Sequence, residues 1–233
     1  MKKIYLIFVM LFMLMFIASC SYSPSVGATE KHHTYEEVLE YAKTIDLNAN
    51  VNDEYKDTKL ENVVADEYRE WNAIVNGIEC HVASTPIIVM NQGVAGGEFG
   101  KKYFVVNTDY NFYLLKSIIE SSYLDFTIIE DDIADRYTDY IGFAPLKNNE
   151  NQLTVDELNL LLLSARSIYE EYNLKSTEGK NISIGLYSPT VLSSTDGSNK
   201  HIEIRIEYYT INNETTNEVI IDKYLKNWEK FNS

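Results

Sequence analysis

Histidine is the side chain whose ordinary pKa lies nearest neutrality, and the chain has four. Cys80 and His81 are adjacent, a pairing that suggests a thiol nucleophile beside its base. Strand geometry argues against it, because neighbours along a strand point to opposite faces. Cys80 then shares an apolar side with Ile78 and Val82 and reads as a buried, inert thiol. Glu79 with His81, and His201 with Glu203, are two pairs spaced to share a strand face, and they would combine into a metal site if their strands were neighbours. A cross-strand charge ladder with Arg205 and Glu207 accounts for the same residues without metal. His32 and His33 fall in a polar leader and read as solvated.

Oxygen-bearing side chains also cluster. Asp46, Asn48 and Asn50 alternate after a helix as the first ligands of a calcium loop do, with Asp57 at the twelfth position. Val51 replaces the turn-making glycine and Asp57 replaces the bidentate glutamate, so a polar loop of Asx turns is the favoured reading, and no cofactor other than this calcium option is indicated. Glu130, Asp131, Asp132, Asp135 and Asp139 form an acidic group that could serve two-carboxylate hydrolysis or bind a cation or a basic partner, against the plainer reading of a solvated helix face around Arg136. The glycine cluster at 93–100 follows a strand but lacks the Lys-Ser/Thr and helix of a phosphate loop, and reads as a loop between strands. No Gly-x-Ser-x-Gly, His-Glu-x-x-His or Ser-x-x-Lys signature is present. Tyrosines, 18 in number, exceed the 9 Phe and 2 Trp, which suits both strands and sugar or peptide clefts.

The start of the chain carries the sharpest signal. Lys2 and Lys3 form a positive n-region, an apolar run extends from Ile4 to Ile17, and no acid occurs before Glu30. The run is too short for a comfortable bilayer span. It ends in Ile17-Ala18-Ser19-Cys20, which resembles the lipobox of bacterial lipoproteins. The resemblance covers only these first 20 residues or so. It implies cleavage after Ser19, a diacylglyceryl group on the Cys20 sulfur, and a mature protein held on the extracytoplasmic face of the cell membrane, which the low-GC-like composition places on a Gram-positive surface. Cys80 would then lack an intramolecular disulfide partner.

Residues 20–33 read as a flexible tether rich in Ser, Gly and Pro, and 34–233 as one domain, with an alternative split near 146–153. A capping box, Thr34 with Glu37, opens a first helix, and a loop is expected from Leu47 to Thr58. Asn76-Gly77 predicts a hairpin over Glu70 to Ser84, with further strands at Pro86 to Asn91 and Lys102 to Asn107. A second helix is expected over Asn111 to Ser122. A long one follows the capping box Thr154 with Glu157, with Leu160, Leu161, Leu163 and Ile168 widening its apolar stripe. Strands at Asn181 to Tyr187 and His201 to Thr210 follow, the second with Ile202, Ile204 and Ile206 directed to the core. The tail from Asn217 fits either a strand or a helix carrying Ile220, Tyr224, Trp228 and Phe231.

This order predicts an α+β fold, an antiparallel sheet with helices on one face. The net charge of −15 argues against a nucleic-acid partner, and none is expected. Attachment would be to the membrane through Cys20, and the expected role is a binding or interaction module for an envelope protein or small ligand, without a cleft of converging titratable groups. A surface-anchored hydrolase using Asp131 and Asp135, and a solute-binding lipoprotein of a transporter, are the alternatives.

Overall fold

The structure, a computed structural model, describes residues 27–59, 67–89, 101–122, 124–130, 136–138, 140–146, 151–176, 180–193 and 200–232. The signal residues Lys2, Lys3, Ile17, Ala18, Ser19 and Cys20, the glycine cluster and Asp131, Asp132, Asp135 and Asp139 lie outside them.

Helix α1 (Tyr35–Ile45) starts where the capping box predicts: the Glu37 amide donates to Thr34 Oγ1, and the Thr34 amide donates to Glu37 Oε2 at 2.8 Å. Four antiparallel strands follow in sequence order, β1 (Asn50–Lys59), β2 (Glu67–Val75), β3 (Ile78–Val89) and β4 (Lys101–Thr108). Asn76 and Gly77 close the β2–β3 turn with φ of 47° and 76°, the left-handed pair of a type I′ hairpin. Helix α2 (Tyr110–Ser121) leads to a second sheet of β5 (Phe126–Ile129), β6 (Tyr140–Pro145), β7 (Asn181–Ser193) and β8 (Lys200–Ile211). Its β6–β7 pair is parallel, which requires a long crossover connection, here helix α3 (Val155–Lys175). Helix α4 (Asn217–Asn232) ends the chain, with Ile220, Tyr224 and Trp228 buried.

The class is α+β, with the strands divided between two sheets. Buried side chains of both sheets and all four helices, among them Val38, Trp71, Val82, Leu115, Leu162 and Tyr224, form one continuous cluster. Burying a side chain of this kind is worth about 1.5–3 kcal/mol, so the core carries the fold without a disulfide.

Four expectations are corrected. The loop at Leu47 to Thr58 is mostly strand β1; its polar sequence suits a sheet edge, and a register shift between Val51 and Tyr55 breaks the alternation that would mark a strand. The strand starting at Pro86 is the second half of β3, where pairing to β2 has ended at Ser84 and a residue without N–H is tolerated. In β8 Ile204 packs against the core as expected and Tyr209 and Ile211 are buried in it, while Ile206, expected to face the core, lies exposed with Tyr208. Gly185 and Gly142 make that possible, since a Cβ there would stand 2.7 Å from Ile206 Cγ2 and 2.8 Å from Tyr208 Cε1. On α3, Leu160 and Leu163 point to solvent and only one side of the helix is buried.

The tether is also shorter than the sequence suggests. Thr29 and Phe104 exchange backbone hydrogen bonds of 3.0 and 2.7 Å, adding a bridge to the β4 edge. His33 is buried, its Nε2 3.1 Å from the Phe104 carbonyl and its amide donating to Ser84 Oγ, while the His32 ring lies 3.9 Å from that of Phe104. Both histidines are docked.

Candidate functional site

The β3–β4 register pairs Val82 with Thr108, which carries Asp109, the residue before α2, to the side of His81. The contact is two-pronged. The His81 amide donates to Asp109 Oδ1 at 2.5 Å, and the ring Nδ1–H donates to Oδ2 at 2.8 Å. The Asp109 amide and the Thr108 hydroxyl both donate to the His81 carbonyl. Asp109 is fully buried, whereas the His81 side chain is 25 % exposed. An aspartate on Nδ1 fixes the tautomer and leaves Nε2 as the working atom. Nε2 has no hydrogen bond among the described residues, and His81 lines an open cleft of about 940 Å³.

The cleft lies over the solvent face of the first sheet. Asn50, Asn52 and Asp53 of β1, Asn72 and Ile74 of β2, Glu79 of β3 and Tyr113 of α2 contribute to its lining. Asn52 and Asp53 sit in the register shift of β1, where the Asn52 side chain accepts from the Glu54 amide; such a bulge bends a strand and redirects its side chains. The Tyr113 ring stands 5.7 Å from that of His81.

Behind His81 the same face is covered. Glu70, two residues before Asn72 on β2, is buried; its Oε1 accepts from the Tyr137 hydroxyl at 2.6 Å and its Oε2 from Thr58 at 3.1 Å. Tyr137 packs on Tyr68 and Ala83. Arg136 donates to Glu130 at 2.6 Å and brings Nη1 within 3.8 Å of Asp109 and 4.0 Å of Glu70.

The hydrogen bond that the ring donates to Asp109 holds the His81 pKa above its ordinary value, against the opposing pull of burial. Burial lifts the Asp109 carboxyl, partly offset by its bonds from His81 and by Arg136. Tyr113 is raised by burial and then by the Asp109 charge. Cys80, on the core side of β3 as strand alternation predicts, is pushed up to about 12 by burial, and is an inert thiol.

Ligand-type atoms of Glu70, His81 and Asp109 all fall within 4.8 Å of one another. They could surround a cation. All four carboxylate oxygens, however, already accept bonds from His81, Tyr137 and Thr58, and Arg136 supplies positive charge, so the group is closed as it stands.

The calcium spacing is not realised. Asp46 caps α1, accepting from the Asn48 amide at 2.9 Å and the Asn76 amide at 2.8 Å; Asn50 begins β1; Asp57 lies farther down that strand, bound to Arg69 at 2.9 Å. Glu79 with His81 and His201 with Glu203 belong to different sheets and are not strand neighbours. Of the acidic group, Glu130 binds Arg136, which is half-buried in a short 3₁₀ segment. Convergence of titratable groups is not expected from the sequence. The structure brings four together, and missed among them are Asp109, Glu70 and Arg136. The signal for Asp109 was its N-cap position directly after a strand antiparallel to β3.

No protein-family model, no curated protein and no solved structure matches the chain. Among the described residues no helix is long and apolar enough to cross a membrane.

Proposed function

We propose that the protein is a lipid-anchored envelope protein, tethered through Cys20, that binds a ligand in the cleft over its first sheet with His81 as the central contact. The observation that carries the binding role is the orientation of His81: a fully buried aspartate fixes one ring nitrogen and leaves the other at an open, polar cleft. Building such a pair has a cost, because a buried carboxylate must be compensated, and a purely structural histidine does not need its second nitrogen left unbonded. Anchoring rests on the lipobox-like residues 17–20.

The test is thermal unfolding of the full chain in neutral detergent against a panel of amines, sugars, amino acids and organic anions, with His81→Gln in parallel. A binder at 100 times its dissociation constant adds about 2.7 kcal/mol. A compound that raises Tm in the wild type and not in His81→Gln supports the reading; a panel that moves neither, or both equally, contradicts it.

A second reading draws on the same dyad, since an Asp-oriented imidazole is also the arrangement of a general base. It predicts hydrolytic turnover of a cleft-bound ester or amide that His81→Gln abolishes at unchanged Tm.

A further inference from the structure

The cleft has a definite electrostatic sign. Its lining includes Asp53 and Glu79, both exposed, and among the described residues contains neither Lys nor Arg. His81 does not reverse this: protonated, it is neutralised by Asp109, and neutral, it leaves the Asp109 charge behind. Arg136 stands behind the site, bonded to Glu130 and within 3.8 Å of Asp109 and 4.0 Å of Glu70, so one cation there faces three carboxylates, and Lys116, 5.8 Å from the centre of the Tyr113 ring, is not part of the lining. The cleft therefore carries net negative charge within a chain whose own net charge is −15, and such a concavity concentrates cations. The uncharged lining suits an N–H donor as well. Asn50, Asn52 and Asn72 offer amide carbonyls, the Tyr113 ring offers a π face, and Nε2 of neutral His81 is an acceptor.

Resting on the binding role assigned above, we propose that the ligand of this cleft bears primary ammonium groups, held by Asp53 and Glu79 and accepted by His81 Nε2. Small polyamines and lysine side chains share this chemistry.

Calorimetric titration of the full chain in neutral detergent, at low salt and pH 8, tests it with spermidine, tetralysine, and tetralysine acetylated on every ε-amine and on its α-amine. Spermidine or tetralysine binds and the acetylated peptide does not. Stronger spermidine binding identifies a small polyamine, and stronger tetralysine binding identifies peptide lysines. Each carboxylate about 4 Å from an ammonium is worth roughly fivefold in water, so Asp53→Asn with Glu79→Gln weakens binding about tenfold or more. A control that removes two exposed acids elsewhere, Glu170→Gln with Glu229→Gln, changes it less than about twofold. Asp109, Glu70, Arg136 and Tyr113 face His81, and within their fixed field affinity rises as pH passes upward through the His81 titration.

Equal binding of the acetylated peptide, equal losses in the two double variants, or no binding of either cation overturns the ammonium assignment. A neutral or anionic compound from the thermal panel whose effect disappears in His81→Gln also overturns it, and leaves the binding cleft standing. If neither a cation nor any panel compound binds, both readings fail.

Discussion

At the residue scale the weight falls on Asp109. Its two oxygens accept from the backbone and the ring of His81, and it has no exposure to water. Asp109→Ala strands both His81 donors and leaves His81 without its carboxylate, while Arg136 keeps Glu130, and should lower stability by about 3 kcal/mol in urea unfolding. A loss below about 1 kcal/mol would show that the pair does little for the fold. His81 adds a pH dependence. Its folded pKa is raised, so its stabilising contribution is complete below the unfolded value near 6.5 and is lost as pH rises through the folded value. The urea midpoint should fall from pH 6.5 to 7.5, below the range where the thiol of unfolded Cys80 ionises, and His81→Gln should flatten that slope. A midpoint that rises over this window would reverse the assigned sign. In the sequence, the opposite facing of Cys80 and His81 was legible because a strand has period two. Asp109 was not, because its partner is 28 positions away and only the register of β3 on β4 joins them.

At the element scale, local rules were legible where they act within a few residues. Both capping boxes and the Asn76-Gly77 turn form as their spacing predicts. Thr154→Ala, which removes the N-cap of α3, should cost about 1 kcal/mol in stability. Elements set by distant contacts were less legible. The sequence of β1 is polar because it is an edge, and its register shift hides the alternation. The outward turn of Ile206 and Tyr208 depends on glycines in two other strands. That dependence is testable. A Cβ at Gly185 meets Ile206 Cγ2 at 2.7 Å and Ile129 Cδ1 at 3.0 Å, and the branched Ile206 has little rotamer freedom in a strand. At Gly142 the close neighbour is the outer edge of the Tyr208 ring, a side chain 46 % exposed, with solvent rather than packed core on its far side. Gly185→Ala should therefore destabilise by about 1–3 kcal/mol and Gly142→Ala by less, as read from their Tm values. The reverse order would place the crowding elsewhere.

For the whole molecule, the α+β class followed from the alternation of helical and strand patterns, whereas the division into two sheets depends on pairings between segments far apart in the chain. The Thr29–Phe104 bridge and buried His33 bring the folded part to within nine residues of Cys20, so a lipid there would hold the β4 edge within about 30 Å of the membrane. Cys20→Ala should release the protein from membranes or leave an uncleaved precursor; unchanged incorporation of labelled lipid would refute the anchor. The central claim is that His81 is a poised contact in a ligand cleft. Histidine-selective ¹⁵N NMR of the full chain across pH, with and without panel compounds, reads it most directly. The account predicts an Nδ1 that stays protonated, an Nε2 that titrates above the ordinary histidine value, and an Nε2 resonance that shifts when a binding compound is added. Titration at or below the ordinary value, or an Nε2 resonance that no compound moves, would contradict it.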